Sequence, residues 1–359
     1  MVTNETPADM LDLLTSPAFY VKDGVVIRTN QAAKGIPIAD GTPVAQLISV
    51  GAEDYEEFTG GCLYLRLKLD SETGAYVTKL DGMDVFVVEK DEEFAELQAM
   101  ALAAQEIRQP LASLMALTDH IFPLLQRSDV PDADAQMARI NKSLYQMLRI
   151  VSNMSDAYRY STGSNSRQES RDVPRLLQEI FEAVIPLAQE AGIRMEFSNA
   201  AGSIYSLVDP DRLERAISNI LSNAIKFTPE GGAIQAQLVR RGHRLYLTVS
   251  DTGNGIPEDL RASVYRRYQR QPGLEDGRFG IGLGMVMIRS AAIQHGGTVL
   301  LEQDDSGVRL TMTLAIRQDA EGRVRTPMMR VDYAGERDHR LIELSESLPA
   351  HLYGPNKVN

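Results

Sequence analysis

Asn219-Ile220-Leu221-Ser222-Asn223-Ala224-Ile225-Lys226-Phe227-Thr228 sets two asparagines and a lysine at helical spacing, on one shared face. Carboxamide oxygens suit Mg2+, a hard ion that usually keeps several waters and bridges phosphates, and a lysine offsets phosphate charge. An asparagine pair is more often a solvated helix face than a metal site, so the stretch decides nothing alone. Two glycine-rich stretches downstream change its reading. Asp251-Thr252-Gly253-Asn254-Gly255-Ile256-Pro257 follows the apolar strand Leu245 to Val249. A carboxylate at a strand end can accept a hydrogen bond from an adenine amino group, and Gly253 and Gly255 let the backbone approach a base closely. Gly280-Ile281-Gly282-Leu283-Gly284-Met285 opens an apolar helix, where small residues and free amides can cradle phosphates.

Other nucleotide folds fit less well. A P-loop needs Gly-Lys-Ser/Thr after its glycines, and Gly284-Met285-Val286 does not supply it. A dinucleotide fingerprint belongs between the first strand and helix of a βαβ unit, whereas Gly280 follows the charged loop Glu275-Asp276-Gly277-Arg278.

In this order and spacing the three stretches resemble the N, G1 and G2 boxes of the Bergerat-type ATP-binding domain shared by histidine kinases, gyrases, Hsp90 and MutL. Val264-Tyr265-Arg266-Arg267-Tyr268 resembles the intervening F-box, and His295-Gly296-Gly297-Thr298 the turn that follows G2 in kinases. The resemblance implies that Asn223 ligates Mg2+ with Asn219 in support, that Lys226 contacts phosphate, and that Asp251 reads adenine. It implies further that Gly253, Gly255, Gly280, Gly282, Leu283 and Gly284 shape the ATP pocket. Tyr265 to Phe279, with Arg266, Arg267, Arg270 and Arg278, is then a lid over the triphosphate. Gyrase-like relatives place a glutamate at the position of Asn219 to activate water. An asparagine cannot serve as that base, so the site favours transfer to a docked nucleophile over hydrolysis.

Upstream, Gln105-Glu106-Ile107-Arg108-Gln109-Pro110-Leu111 resembles the H-box of sensor histidine kinases, with glutamine where the phosphate-accepting histidine belongs. An imidazole nitrogen can attack a phosphorus and hold the phosphoryl group, whereas a carboxamide has no nucleophilic lone pair to offer. The family pattern makes Glu106 the general base beside the acceptor. Gln109 stands where relatives often carry the Thr or Asn that orients a water for dephosphorylating the response regulator. Gln105 is open to three readings: a natural pseudokinase, an engineered His→Gln change, or a kinase with another acceptor. His120, fifteen residues on, lies about 60° round and some 22 Å along an ideal helix, too far for the same docking mode. His243, His295, His339 and His351 read as loop or tail residues.

These motifs sit in a multidomain α+β chain of 359 residues. Residues 1–90 alternate strands with tight turns, including Asp23-Gly24 and Asp81-Gly82, and resemble a PAS sensor domain. An ordinary α+β dimerisation domain is the alternative there, and the PAS ligand is unknown. Residues 91–160 switch to a helical period. Phe94, Leu97, Ala101, Ala104, Leu111 and Met115 share one face of a first helix that Pro110 should kink. Met137, Ile140, Leu144, Met147, Val151, Met154 and Tyr158 keep an unbroken 3-4 repeat in a second. Two such helices do not close a core unaided, which favours a homodimeric four-helix bundle over a hairpin packed on its own chain. Residues 161–172 read as a linker, 173–317 as a two-layer α/β-sandwich, and 318–359 as an extension, docking helix or frayed tail.

A net charge of −12 argues against nonspecific binding to nucleic acid or anionic membrane, and no apolar run approaches the roughly 20 residues of a membrane span. The single cysteine, Cys62, excludes an intramolecular disulfide and reads as a core thiol in a cytoplasmic protein. By resemblance the partner is a response-regulator receiver domain in a two-component phosphorelay. A signalling scaffold set by nucleotide occupancy and a regulator phosphatase using Glu106 and Gln109 are the rival functions.

Overall fold

The computed structural model describes residues 11–12, 14–89, 92–127, 132–161, 168–255, 283–304, 306–317 and 337–354. It begins with a hairpin of β1 (Ala18–Lys22) and β2 (Val25–Thr29), turned by Asp23 and Gly24 at φ 51° and 76°. Positive φ at both central residues gives the turn whose twist matches right-twisted strands. A short strand β3 (Ile48–Val50), helix α1 (Ala52–Glu56) and β4 (Cys62–Lys68) lead to a second hairpin, β5 (Glu72–Leu80) and β6 (Met83–Val88). Asp81 and Gly82 repeat the same turn, at 49° and 76°. Phe19 stacks on Phe86 with ring centroids 4.8 Å apart, and Val21, Leu63, Leu65, Leu67 and Val77 fill the layer around them.

Helix α2 (Glu92–Arg127) continues through Pro110 and Pro123, and α3 (Ala133–Ser161) packs beside it. Leu97, Ala104, Leu111 and Met115 of α2 are buried, as the helical period requires. Within one chain the seam expected on α3 is covered only in part. Met137, Leu144 and Val151 are buried, but Ile140 and Met147 stay 46% and 42% exposed. On α2 a second 3-4 series, Ile107, Leu114, Leu117, Ile121 and Leu124, is likewise exposed. A 3-4 repeat is wide enough to point in two directions, and one chain covers only one of them.

Strand β7 (Glu169–Asp172) falls in the stretch read as a linker and pairs with β9 (Tyr205–Val208). Between them lie α4 (Val173–Glu190) and β8 (Arg194–Asn199). Helix α5 (Pro210–Phe227) follows, capped by the Asp209 carboxylate, which accepts from the Arg212 N–H at 3.1 Å, with Pro210 in its first turn. Then come β10 (Ala233–Arg241), β11 (Arg244–Asp251), α6 (Leu283–Gln294), β12 (Val299–Asp304), β13 (Gly307–Ala315) and α7 (His339–Glu343). Leu177, Phe181, Leu213, Ile217, Leu221 and Ile288 from the helices are buried in one core with Ile234, Leu238, Leu247, Val249 and Met312 from the strands. That is a sheet covered by a helical layer.

The separate sheets expected for the two β-rich regions are in fact joined. The strand order is β2-β1-β6-β5-β4-β12-β13-β11-β10-β8, with β3 also on β4. The joint is antiparallel, Tyr64, Leu63 and Cys62 facing Val299, Leu300 and Leu301. Cys62 therefore sits at the junction and not inside one core. Two polar clusters flank it. The Asp54 carboxylate of α1 accepts from the Thr298 hydroxyl at 2.7 Å and pairs with Arg244 at 2.8 Å. Arg289 of α6, its side chain 3% exposed, meets Glu89 at 3.3 Å and lies over the rings of Tyr64 and Tyr76.

A buried ion pair that loses one partner leaves an uncompensated charge, at a cost of about 3–5 kcal/mol. Arg289→Ala should therefore lower the unfolding free energy by about 3 kcal/mol, read by urea denaturation. Glu89→Gln combined with Arg289→Met should recover much of that loss; equal destabilisation by the single and the double change would sink the ion-pair account.

Candidate functional site

Helix α5 displays Asn219, Asn223 and Lys226 along one side, and the described parts of the other two motifs pack against it. Asn219 is 1% exposed; its amide donates to the Arg215 carbonyl at 2.8 Å, and its carbonyl accepts from Arg149 of α3 at 3.2 Å. Asn223 is half-buried, with no side-chain partner among the described residues. Lys226 Nζ lies 3.0 Å from a Glu346 carboxylate oxygen. At the end of β11, Asp251 Oδ1 accepts from the Gly253 N–H at 2.9 Å. Burial raises the Asp251 carboxyl above its ordinary value, against the lowering effect of the Gly253 and Val308 N–H groups.

Glycine is required where the motifs touch. A Cβ on Gly253 would stand 2.6 Å from the Phe227 carbonyl oxygen, and one on Gly284 would stand 3.0 Å from Asn219 Oδ1. Thus the turn after β11 seats on the C-terminal end of α5, and the start of α6 seats on its middle. Leu283 is buried with Leu97, Ala157 and Tyr160 of the helical hairpin, and Gly255 takes φ 73°. Tyr265, Arg267, Gly280, Gly282 and the lid expected over Tyr265 to Phe279 lie outside the described residues. Among the described residues no cluster of three His, Cys, Asp or Glu side chains could hold a metal. The side chains that are present fit Mg2+ held by the Asn223 carboxamide, water and phosphate oxygens.

Gln105, Glu106 and Gln109 are exposed on α2, and Arg108 nearby donates to the Ser155 hydroxyl of α3 at 3.2 Å. Gln105 lies about 12 Å along α2 from Leu97, the residue that packs on Leu283. His295 lies in the turn after α6, as its reading as a loop residue has it, but it is buried there. It is 1% exposed, Nδ1 donating to the Ala291 carbonyl at 2.7 Å and Nε2 accepting from the Asp209 N–H at 2.9 Å. Burial depresses its pKa to about 4, so the ring is neutral and ties the end of α6 to the cap of α5.

No role is expected for Arg149 or Arg215, and residues 337–354 read as part of an extension, docking helix or frayed tail; in the structure Arg149 and Arg215 contact Asn219, and Glu346 contacts Lys226. Arg215 of α5 pairs with Asp156 of α3 and with Glu343 of α7. Arg149 Nη1 lies 3.4 Å from the same Glu346 oxygen that meets Lys226. The Ser222 and Ser347 hydroxyls are 3.0 Å apart, and Asn141 donates to the Tyr353 carbonyl at 3.1 Å. Residues 337–354 thus bridge α3 and α5. Their apolar residues Leu341, Ile342, Leu344 and Leu348 were visible in the sequence, but their target was not.

Residues 208–318 match the family of histidine kinase-, DNA gyrase B-, and HSP90-like ATPases. Hybrid signal transduction histidine kinase D of Dictyostelium discoideum is 29% identical over 64% of this chain and 15% of its own length. Sensor histidine kinase CusS of Escherichia coli is 28% identical over 59% and 44%, and adaptive-response sensory kinase SasA of Synechococcus elongatus 27% over 56% and 54%. The chain is thus similar to sensor histidine kinases and carries a histidine kinase-, DNA gyrase B-, and HSP90-like ATPase region. It spans about half or less of the length of these relatives. The crystal structure of full-length ShkA in complex with AMPPNP is similar at a TM-score of 0.49 and 22% identity, over 62% of this kinase homologue and 46% of that chain. Residues 337–354 lie beyond the matched ATPase region.

The neutral His295 makes this homologue acid-sensitive. Its folded pKa lies below the unfolded value of 6.5, so the penalty is absent above 6.5 and grows as pH falls toward about 4. In urea unfolding, the stability advantage of wild type over His295→Asn should shrink by roughly 2–3 kcal/mol between about pH 7 and about pH 4.5. A constant gap would contradict a neutral imidazole.

Proposed function

We propose that this chain is a cytoplasmic, homodimeric pseudokinase of a two-component pathway, which binds Mg-ATP between α5, the end of β11 and the start of α6. The observation that carries the reading is Gln105: the position that resembles the acceptor is exposed on α2, and it holds a carboxamide. Mg-ATP bound here supplies a transferable phosphoryl group. Asp251 receives the adenine amino group, Asn223 holds the ion, and Lys226 offsets phosphate charge. Gly253 and Gly284 let the turn after β11 and the start of α6 seat against α5, where any Cβ would crowd Phe227 or Asn219. Glu106 stands ready as a base, but Gln105 has no nucleophilic nitrogen lone pair for it to expose.

The N-terminal unit is read as a PAS-type sensor domain and the hairpin as half of a four-helix bundle. What supports the bundle is the exposed apolar series Ile107, Leu114, Leu117, Ile121 and Leu124, beside Ile140 and Met147. A 3-4 stripe of this length is the face that a second copy covers. The output is then conformational: nucleotide and the N-terminal unit set the hairpin, and the hairpin presents a surface to a response-regulator receiver domain. Among the described residues no helix is long and apolar enough to cross a membrane, in keeping with a cytoplasmic site of action.

Labelling with γ-phosphate-labelled ATP tests the assignment. Acid-labile label should appear in Gln105→His and not in the unmodified chain. Acid-labile label in the unmodified chain would overturn the pseudokinase reading, and label in neither protein while both bind nucleotide would overturn the single-residue explanation. Leu114→Glu with Ile121→Glu should convert the dimer to a monomer in light scattering; a dimer that survives both changes would have another interface.

A further inference from the structure

Two cations from separate elements converge on one carboxylate at the edge of the nucleotide site. Glu346 Oε2 is 3.0 Å from Lys226 Nζ on α5 and 3.4 Å from Arg149 Nη1 on α3. The side chains of Lys226 and Arg149 are only 8% and 4% exposed, so this carboxylate and not water neutralises them. It does so incompletely. Nε and Nη1 of Arg149 are buried without a hydrogen-bond partner, although a guanidinium carries five N–H donors in a planar fork.

The wider charge pattern points the same way. Arg149, Arg215 and Lys226 share the carboxylates of Asp156, Glu343 and Glu346. Two of those three carboxylates belong to residues 337–354, and the third, Asp156, also pairs with Arg159. Withdrawing Glu346 alone would leave Arg149, Arg215 and Lys226 facing only Asp156 and Glu343, an electropositive cleft one carboxylate short between α3 and α5. Its natural occupant is a polyphosphate, whose several oxygens can meet donors that one carboxylate leaves unmatched.

We propose that Arg149 and Lys226 form a cross-domain anion site for the terminal phosphates of a nucleotide, which the chain fills with its own Glu346 carboxylate, so that Glu346 and nucleotide phosphate compete. The proposal rests on Lys226 facing phosphate, as in the ATP-binding reading above. It adds a phosphate contact from the helical hairpin and an occupant built into the chain. The segment has no need to leave as a whole. Glu346 lies between two anchors, α7 with Leu341 and Ile342 buried, and Tyr353, whose ring packs edge-on against Tyr145 at 5.4 Å. Exchange of carboxylate for phosphate requires that the turn between these anchors yield, with the buried Leu344, Ser345 and Leu348 loosened and the Ser222–Ser347 contact parted. Burial raises the Glu346 carboxyl, but Arg149 and Lys226 outweigh that and hold it below its ordinary value of 4.5, so it is ionised at neutral pH and a true rival to phosphate.

The test compares Mg-ATP with adenosine, by calorimetric titration of the full chain and of Glu346→Gln. Removing the rival charge should tighten Mg-ATP about tenfold or more and leave adenosine unchanged. Glu346→Asp, which keeps the charge, should stay near wild type. Unchanged or weaker ATP binding in Glu346→Gln, or an equal gain for adenosine, would overturn the competition. Binding of neither ligand by either protein would sink the ATP-binding reading itself, an outcome distinct from equal binding by both. Should Glu346→Gln fail to fold, hydrogen exchange on the unmodified chain decides. Mg-ATP should speed exchange in residues 344–348 and slow it in 219–226, and protection of 344–348 by Mg-ATP would refute the proposal.

Discussion

Buried cations must be answered, and in this protein the answer is shared among three pieces of chain that are far apart in sequence. Arg149 on α3 and Arg215 and Lys226 on α5 are nearly withdrawn from water, and their counter-charges come from α3 and from residues 337–354. Leaving any one of these guanidinium or ammonium groups unmatched costs several kcal/mol. Helical hairpin, ATPase core and C-terminal segment are therefore held in register by electroneutrality as much as by apolar contact. Because the same side chains line the proposed phosphate site, the arrangement of the domains and the occupancy of the pocket become one equilibrium.

The joint between β4 and β12 adds a second coupling of a different kind. Backbone ladders are stiff and directional, and three paired residues with Asp54 and Arg289 on either side leave little room for sliding. The seam joins the N-terminal unit to the ATPase sheet directly, without passing along α2. Thr298, a residue of the turn that the sequence assigns to the ATPase region, is spent on this contact, donating to Asp54. The N-terminal unit and the nucleotide domain are thus mechanically one piece across the sheet, while the hairpin is tied to that piece by side chains.

What the sequence made legible was local. Asp23-Gly24 and Asp81-Gly82 announce their turns because the conformation depends on two adjacent residues. The face shared by Asn219, Asn223 and Lys226 follows from helical spacing, and the glycines at 253 and 284 lie where backbones meet. What escaped was set by complementarity between distant segments, which leaves no period to read. The pairing of β4 with β12, the docking of residues 337–354 and the burial of His295 all belong to that class. The α3 repeat was legible as apolar but ambiguous in direction, since Met137 and Ile140 carry the same signal and only one of them is covered. Arg149 carries no motif, and its place shows only where Asn219 and Glu346 meet it.

The seam also bears on how the chain is made. Asp54 and Thr298 are 244 positions apart, and β12 follows nearly the whole chain that precedes it. During synthesis the N-terminal unit is complete long before its partner strand emerges, so the outer edge of β4 near Cys62 waits with its amides and carbonyls unmet. Such an edge is a template for pairing with a neighbouring nascent chain, and slow non-local closure lengthens the wait. Gly61 φ 85° and the charged Arg66 and Lys68 bracket the short paired stretch. A turn on one side and the pairing of β3 with Arg66 and Leu67 on the other confine that vulnerable edge to the residues next to Cys62 until β12 arrives to close it.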